Sequence, residues 1–112
     1  MQLKEKLELL NENSTLAEMQ QYISDMKKAR KFDGVTIERE MMLLVEEIGE
    51  LAKAIRKNTN GSLDINKKYD ANVEEELADC FIYLLSIANM HHVDMFKAFK
   101  EKEEKNCNRV WK

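Results

Sequence analysis

LVEEIGELAKAIRK, residues 44–57, decides how this chain is read. At ~100° of turn per residue in an α-helix, Leu44, Ile48, Leu51, Ala52 and Ile55 form one compact apolar stripe. Glu47 then lies roughly 90° from the centre of that stripe and Glu50 further round, where both can line the edge of a groove. EEELADCFIYLLSIAN, residues 74–89, repeats the device. Leu77, Phe81, Leu84, Leu85 and Ala88 make its core stripe, with Glu76 roughly 110° away and Asp79 further still. Its other side is apolar too, through Ile82, Tyr83 and Ile87, so burial is expected on both sides and Asp79 is not simply solvated. In each helix a spacing of three puts both acids on neighbouring parts of one surface. Packed antiparallel, the two helices would aim Glu47, Glu50, Glu76 and Asp79 at one small volume. Four carboxylates there repel one another unless hard cations sit between them.

The rest of the chain reads as helices around these two. Residues 2–11 suit a short helix or arm, with Leu3, Leu7 and Leu10 on one side. Thr15 with Glu18 is a capping box opening a helix from Leu16 to about Arg30, whose Leu16, Met19, Ile23 and Met26 recur at helical spacing. Asp33-Gly34 is the turn expected to end it, and Thr36 caps a helix from Ile37 to about Lys57. Asn58 to Asp70 is polar and reads as the one long loop. A helix from about Ala71 to Met90 follows. Asp94 then caps a last helix to about Asn108, with His91 and His92 as junction residues. Two segments result: residues 1–14 as an arm or short helix, and 15–112 as one all-α domain, an antiparallel four-helix bundle.

Composition agrees. Proline is absent and glycine occurs 3 times in 112 residues, with 35% charged and 44% apolar residues, the mixture of a soluble, nearly all-helical protein. The net charge of -3 argues against a general nucleic-acid binder, which needs a basic face. Cys80 and Cys107 form no short pairing motif and suit thiols in a reducing cytosol. MQLKEKLELL is too charged for a signal peptide, and no apolar run approaches ~18 residues, so no membrane association and a cytoplasmic location are expected.

The donor set narrows the cation. All candidates are oxygen ligands and neither motif carries a histidine, which disfavours zinc or a di-iron centre and favours Mg²⁺, with Mn²⁺ as a substitute. The competing structural reading is that glutamates on helices are solvated faces, and that Glu74-Glu75-Glu76 merely suits a helix N-terminus. Gly49 weighs against it, because a helix-interior glycine suggests a close helix contact or room for a ligand. Glu46 is a further ligand, a base for water, or a surface residue. Lys102, Asn106 and Arg109, at i, i+4 and i+7, form a stripe able to grip phosphate oxygens, although basic last turns are also expected from the helix dipole.

The two acidic stretches resemble those of the MazG-like all-α nucleoside triphosphate pyrophosphohydrolases, whose signature Glu-Glu-x-x-Glu, gap, Glu-x-x-Asp falls here on Glu46, Glu47, Glu50, Glu76 and Asp79. AFKEKEEKNCNRVW (98–111) resembles the family's closing Lys-x-x-x-Asn-x-x-Arg. The likeness covers roughly residues 15–111. It implies a four-helix bundle assembling as a homodimer or homotetramer, and Mg²⁺-dependent cleavage of a nucleoside triphosphate between its α- and β-phosphates, giving the monophosphate and pyrophosphate. Position by position, it implies that Glu47, Glu50, Glu76 and Asp79 hold metal and that Glu46 orients or deprotonates the attacking water, with Glu46 and Glu47 as the catalytic pair. Lys102, Asn106 and Arg109 would bind phosphate. One departure concerns the base: many members offer a tryptophan near the first helix, whereas here the single tryptophan is Trp111, leaving Tyr22, Phe32 and Tyr83 as substitutes or core. Two other readings stay open, a pyrophosphohydrolase of another diphosphate-bearing metabolite and a non-catalytic helical dimerisation or regulatory module.

Overall fold

The computed structural model describes residues 1–59 and 72–110. They form α1 (Leu3–Leu9), α2 (Leu16–Ala29), α3 (Ile37–Thr59), α4 (Asn72–Met90) and α5 (Met95–Cys107). No strand occurs among the described residues, so the fold is all-α as expected. The expected loop begins inside a helix, because α3 runs through Asn58 and Thr59, and its residues 60–70 lie outside the described ones. Trp111 lies outside them too.

Local chemistry explains the boundaries. Thr15 Oγ1 accepts from the Glu18 amide at 3.1 Å while Glu18 Oε1 accepts from the Thr15 amide at 3.2 Å, a closed capping box. Thr36 accepts from the Arg39 amide at 3.2 Å, and Asp94 from the Lys97 amide at 2.9 Å. A turn falls at Asp33-Gly34 as expected, but α2 has already ended at Ala29 before it. Lys31 takes a left-handed φ of 60°, and the Phe32 amide closes back on the Lys27 carbonyl at 2.7 Å. At the end of α4, His92 does the same with φ 56°, and Val93 closes on the Ala88 carbonyl at 2.9 Å. Both are helix ends in which glycine normally sits. His92→Gly is therefore expected to stabilise the chain, by up to about 1 kcal/mol once glycine's extra unfolded-state entropy is subtracted from the relieved left-handed strain. Thermal melting checks this; an unchanged or lower midpoint would show that the His92 side chain stabilises the junction.

Two compact units emerge. One comprises Met1–Gly34 with Leu85–Lys112. In it Ile23, Met26, Leu85 and Ala88 are buried, and a polar knot surrounds buried Gln20. The Gln20 amide donates to Asn89 Oδ1 and the Val93 carbonyl, both at 2.9 Å, and accepts from the Met95 amide at 3.0 Å. The knot thus ties α2 to the α4–α5 junction with its buried polar atoms satisfied. Lys27 Nζ donates to buried Ser86 at 2.9 Å. Helix α1 is held on α2 by a Lys6–Asp25 ion pair at 3.3 Å, while Leu7 is exposed. Gln21 first, then Lys6, holds the Asp25 carboxyl below its usual range.

The other unit, Val35–Leu84, contains α3 and the first two thirds of α4. Here the expected core stripes are corrected. Leu44 is buried, but Ile48, Ala52 and Ile55 are exposed. On α4, Leu85 and Ala88 are buried whereas Leu77, Phe81 and Leu84 are exposed. The covered row of α3 is instead Glu40, Leu44, Glu47, Leu51 and Ala54, and that of α4 is Val73, Glu76, Cys80 and Tyr83. Alternating steps of three and four mark both rows as helix-packing seams. Each helix is rolled so that acidic positions enter the covered side and much of its apolar side is left outside. Gly49 is corrected as well: a Cβ there would meet nothing within 4 Å, so no close contact among the described residues calls for glycine.

Candidate metal centre

Glu47, on the covered row of α3, stands opposite Glu76 and Asp79 of α4. One carboxylate oxygen from each of the three lies within 4.8 Å of the other two. Glu47 and Glu76 are half-buried and Asp79 is exposed, so the cluster opens on one side. Cooperation of two helices makes this possible. Asp79 follows Glu76 by three residues on one helix surface, and Glu47 enters from the neighbouring helix.

Electrostatic strain is concentrated on one group. The Glu47 carboxyl is raised from its ordinary 4.5 to about 7, first by the hydrogen bond it shares with Glu76, then by burial and by the charges of Asp79, Glu76 and Glu50. A proton held between two acids does what a cation would do, offsetting like charges in a poorly solvated place. Glu76 Oε2 is also buried with no hydrogen-bond partner. An unsatisfied buried carboxylate oxygen is costly. Both features fit a cation: the donors are hard oxygens, and a Mg²⁺ ion with ligands at ~2.1 Å spans oxygens up to ~4.2 Å apart, within a small side-chain adjustment of the spacing found.

The negative potential reaches further than the trio. Burial first, then Glu47, Glu76 and Asp79, pushes the Cys80 thiol up. Burial, followed by Glu40, Glu47, Asp79 and Glu46, raises the Tyr83 hydroxyl. Cys80 and Tyr83 follow Glu76 and Asp79 by four residues, and Glu40 precedes Glu47 by seven. Helical adjacency could have drawn all three into the site; the acid motif alone did not.

The other expected site residues stand as follows. Glu50 is exposed and acts on Glu47 through its charge, outside the mutual trio. Glu46 is exposed. Lys102, Asn106 and Arg109 belong to the other compact unit. Lys102 is exposed, and half-buried Asn106 donates to Glu103 Oε2 at 3.1 Å. Because α5 stops at Cys107, exposed Arg109 lies past the helix, and the expected stripe is helical only as far as Asn106. Among the aromatic candidates, Tyr22 and Tyr83 are half-buried and Phe32 is exposed. His91 and His92 are exposed.

Residues 35–111, more than two thirds of the chain, match the MazG nucleotide pyrophosphohydrolase domain. The chain belongs to this family. The match contains every acid of the cluster as well as Lys102, Asn106 and Arg109, and the family's activity is nucleotide pyrophosphohydrolysis. No curated protein gives a significant match over the chain. No helix among the described residues is long and apolar enough to cross a membrane.

Proposed function

We propose that this protein is a Mg²⁺-dependent nucleoside triphosphate pyrophosphohydrolase of the cytoplasm, cleaving between the α- and β-phosphates to release a nucleoside monophosphate and pyrophosphate. The observation that carries this reading is the convergence of Glu47, Glu76 and Asp79 around a buried, unsatisfied Glu76 oxygen. Those three, with Glu50 on the next turn after Glu47, would hold the metal. When bound, Mg²⁺ supplies charge neutralisation for the triphosphate and acidifies a coordinated water. Mn²⁺ can take the same oxygen donors.

The protein's own groups do the remainder. Glu47 gives up its shared proton as the site loads. Glu46, beside it in sequence and exposed, is an acceptor for the proton of the water that attacks the α-phosphorus. The bond broken is the one from that phosphorus to the α,β-bridging oxygen, which leaves on pyrophosphate. Lys102, Asn106 and Arg109 supply donors for phosphate oxygens. Positioning and charge balance are thus the chain's contribution to catalysis.

A second copy completes the fold in this reading. Met41, Val45, Ile48 and Ile55 of α3 and Leu77, Phe81 and Leu84 of α4 are each 39–56% exposed. Together they present about 600 Å² of apolar surface, at the upper end for a lone monomer. Covering it on two copies removes about 1,200 Å², enough for a specific interface. A homodimer, alone or within a homotetramer, follows.

Incubation of the purified chain with a panel of triphosphates and Mg²⁺, read by phosphorus NMR, is expected to yield monophosphate and pyrophosphate. Diphosphate with orthophosphate would overturn the cleavage position. Turnover of non-nucleotide diphosphates alone would move the activity to another metabolite.

A further inference from the structure

Helix α3 carries a charged flank beside its covered row. At ~100° per residue, Arg39, Glu46, Glu50, Lys53 and Lys57 fall within ~60° of one another, and Glu47 stands at the border between them and the covered row. All five are exposed. From the N-terminal end the flank reads basic, acidic, acidic, basic, basic, with both acids beside the metal cluster. Helix electrostatics account for Lys57, which shares the last turn with Arg56, where cations oppose the helix dipole. They do not account for Lys53, which stands more than a turn before the helix ends at Thr59, outside the range of that effect. Nor does a surface pairing account for it. Glu50 precedes it by three residues, yet the Lys53 ammonium is in no ion pair among the described residues.

We propose that Lys53 binds the terminal phosphate of the triphosphate, so that the substrate lies along this flank with its α-phosphorus at Glu47, Glu76 and Asp79 and its tail toward the C-terminal end of α3. Lys53 is ~9 Å from Glu47 along the helix axis, and helical side chains lean toward the N-terminus, so it covers the turn that holds Glu50. Lys57, ~15 Å along, stands a turn beyond that reach. Phosphates that touch a metal held by the cluster are neutralised by it. The far end of the tail passes exposed Glu50, which repels it unless the chain supplies a cation there. In the reaction, water attacks the α-phosphorus and gives its proton to Glu46, and the bond to the α,β-bridging oxygen breaks with its electron pair leaving on pyrophosphate. Lys53 transfers no proton; it stabilises the charge that the departing pyrophosphate carries. It thereby makes the site prefer a triphosphate to a diphosphate. This rests on the pyrophosphohydrolase reading above and adds the direction in which the substrate lies.

Steady-state kinetics of the full chain with Mg²⁺, using one nucleoside as its triphosphate and as its diphosphate, tests it. Lys53→Met keeps the apolar stem and removes the charge. It is expected to lower kcat/KM for the triphosphate ~30-fold, the loss of one charge-assisted hydrogen bond. The diphosphate, read as substrate or as competitive inhibitor, should change little, because it lacks the phosphate that Lys53 holds. Lys53→Arg restores the charge and should recover most of the triphosphate turnover. The rise in melting temperature on adding Mg²⁺ without nucleotide should be the same in Lys53→Met as in the natural chain. Equal losses for triphosphate and diphosphate would place the lysine with the metal cluster or the fold and overturn the assignment. So would triphosphate kinetics indifferent to Lys53→Met, or a larger loss in Lys57→Met than in Lys53→Met. A natural chain that turns over no nucleotide overturns the pyrophosphohydrolase reading, and this assignment with it.

Discussion

Neutralising Asp79 or Glu47 without changing its shape, as Asp79→Asn or Glu47→Gln, is expected to lower turnover at least ~1,000-fold. Metal-based charge stabilisation contributes several kcal/mol to such a transition state, and every ~1.4 kcal/mol is tenfold in rate. The same substitutions should leave the metal-free fold at least as stable as before, because they remove like charge from a place where three carboxylate oxygens lie within 4.8 Å. At half-buried Glu47, loss of activity with retained or improved melting is not what alteration of a structurally needed side chain gives. The combination is therefore diagnostic. Addition of Mg²⁺ should raise the melting temperature of the natural chain and move that of Asp79→Asn far less, since only a native-state binding site stabilises by mass action. Glu50→Gln gives the control for position: its charge acts on Glu47 from outside the trio, so its effect on metal-free melting should be smaller. Unchanged turnover in Asp79→Asn would remove the acids from the chemistry and leave a helical module of other purpose.

Much of this arrangement is legible in the sequence because it is local. Thr15 with Glu18, Thr36 and Asp94 are short side chains that satisfy the first amides of the helices they precede, and each does so at the expected place. The convergence of Glu47 with Glu76 and Asp79 is legible for a related reason, as spacing within each helix is set by a rigid 3.6-residue turn. What spacing leaves undecided is the roll of a helix that is apolar over more than half its circumference. Ile48 and Phe81 lie as well on an apolar stripe as Leu44 does, yet they are exposed while Glu40 is buried. The covered side is a tertiary choice, made where acids must face acids. The helix exits were hidden for another reason: Lys31 and His92 adopt the left-handed conformation without being glycine, and Gly34 nearby offered a more conventional stop.

The pH dependence of stability that Glu47 creates should be largely cancelled when metal is added. Glu47 titrates near 7 in the folded chain and near its ordinary 4.5 when unfolded, so the native state holds its proton more tightly. A raised acid of this kind contributes stability that is complete below ~4.5 and is lost as pH climbs through ~7. Protein stripped with EDTA is therefore expected to lose this contribution between pH 5 and pH 8, and Glu47→Gln to flatten the change. Mg²⁺ acts in the opposite direction. It needs the deprotonated carboxylate, so below ~7 its apparent affinity falls about tenfold per pH unit while a single proton competes. At a Mg²⁺ concentration ~100 times its dissociation constant at pH 8, the ion adds about 2.7 kcal/mol of stability, and most of that disappears by pH 5.5. Melting curves at pH 5.5 and 8, with and without Mg²⁺, should accordingly show a small metal shift at the lower pH and a large one at the higher. A metal shift of equal size at both values would mean that Glu47 surrenders no proton to the ion, and that the cation, if it binds, sits elsewhere.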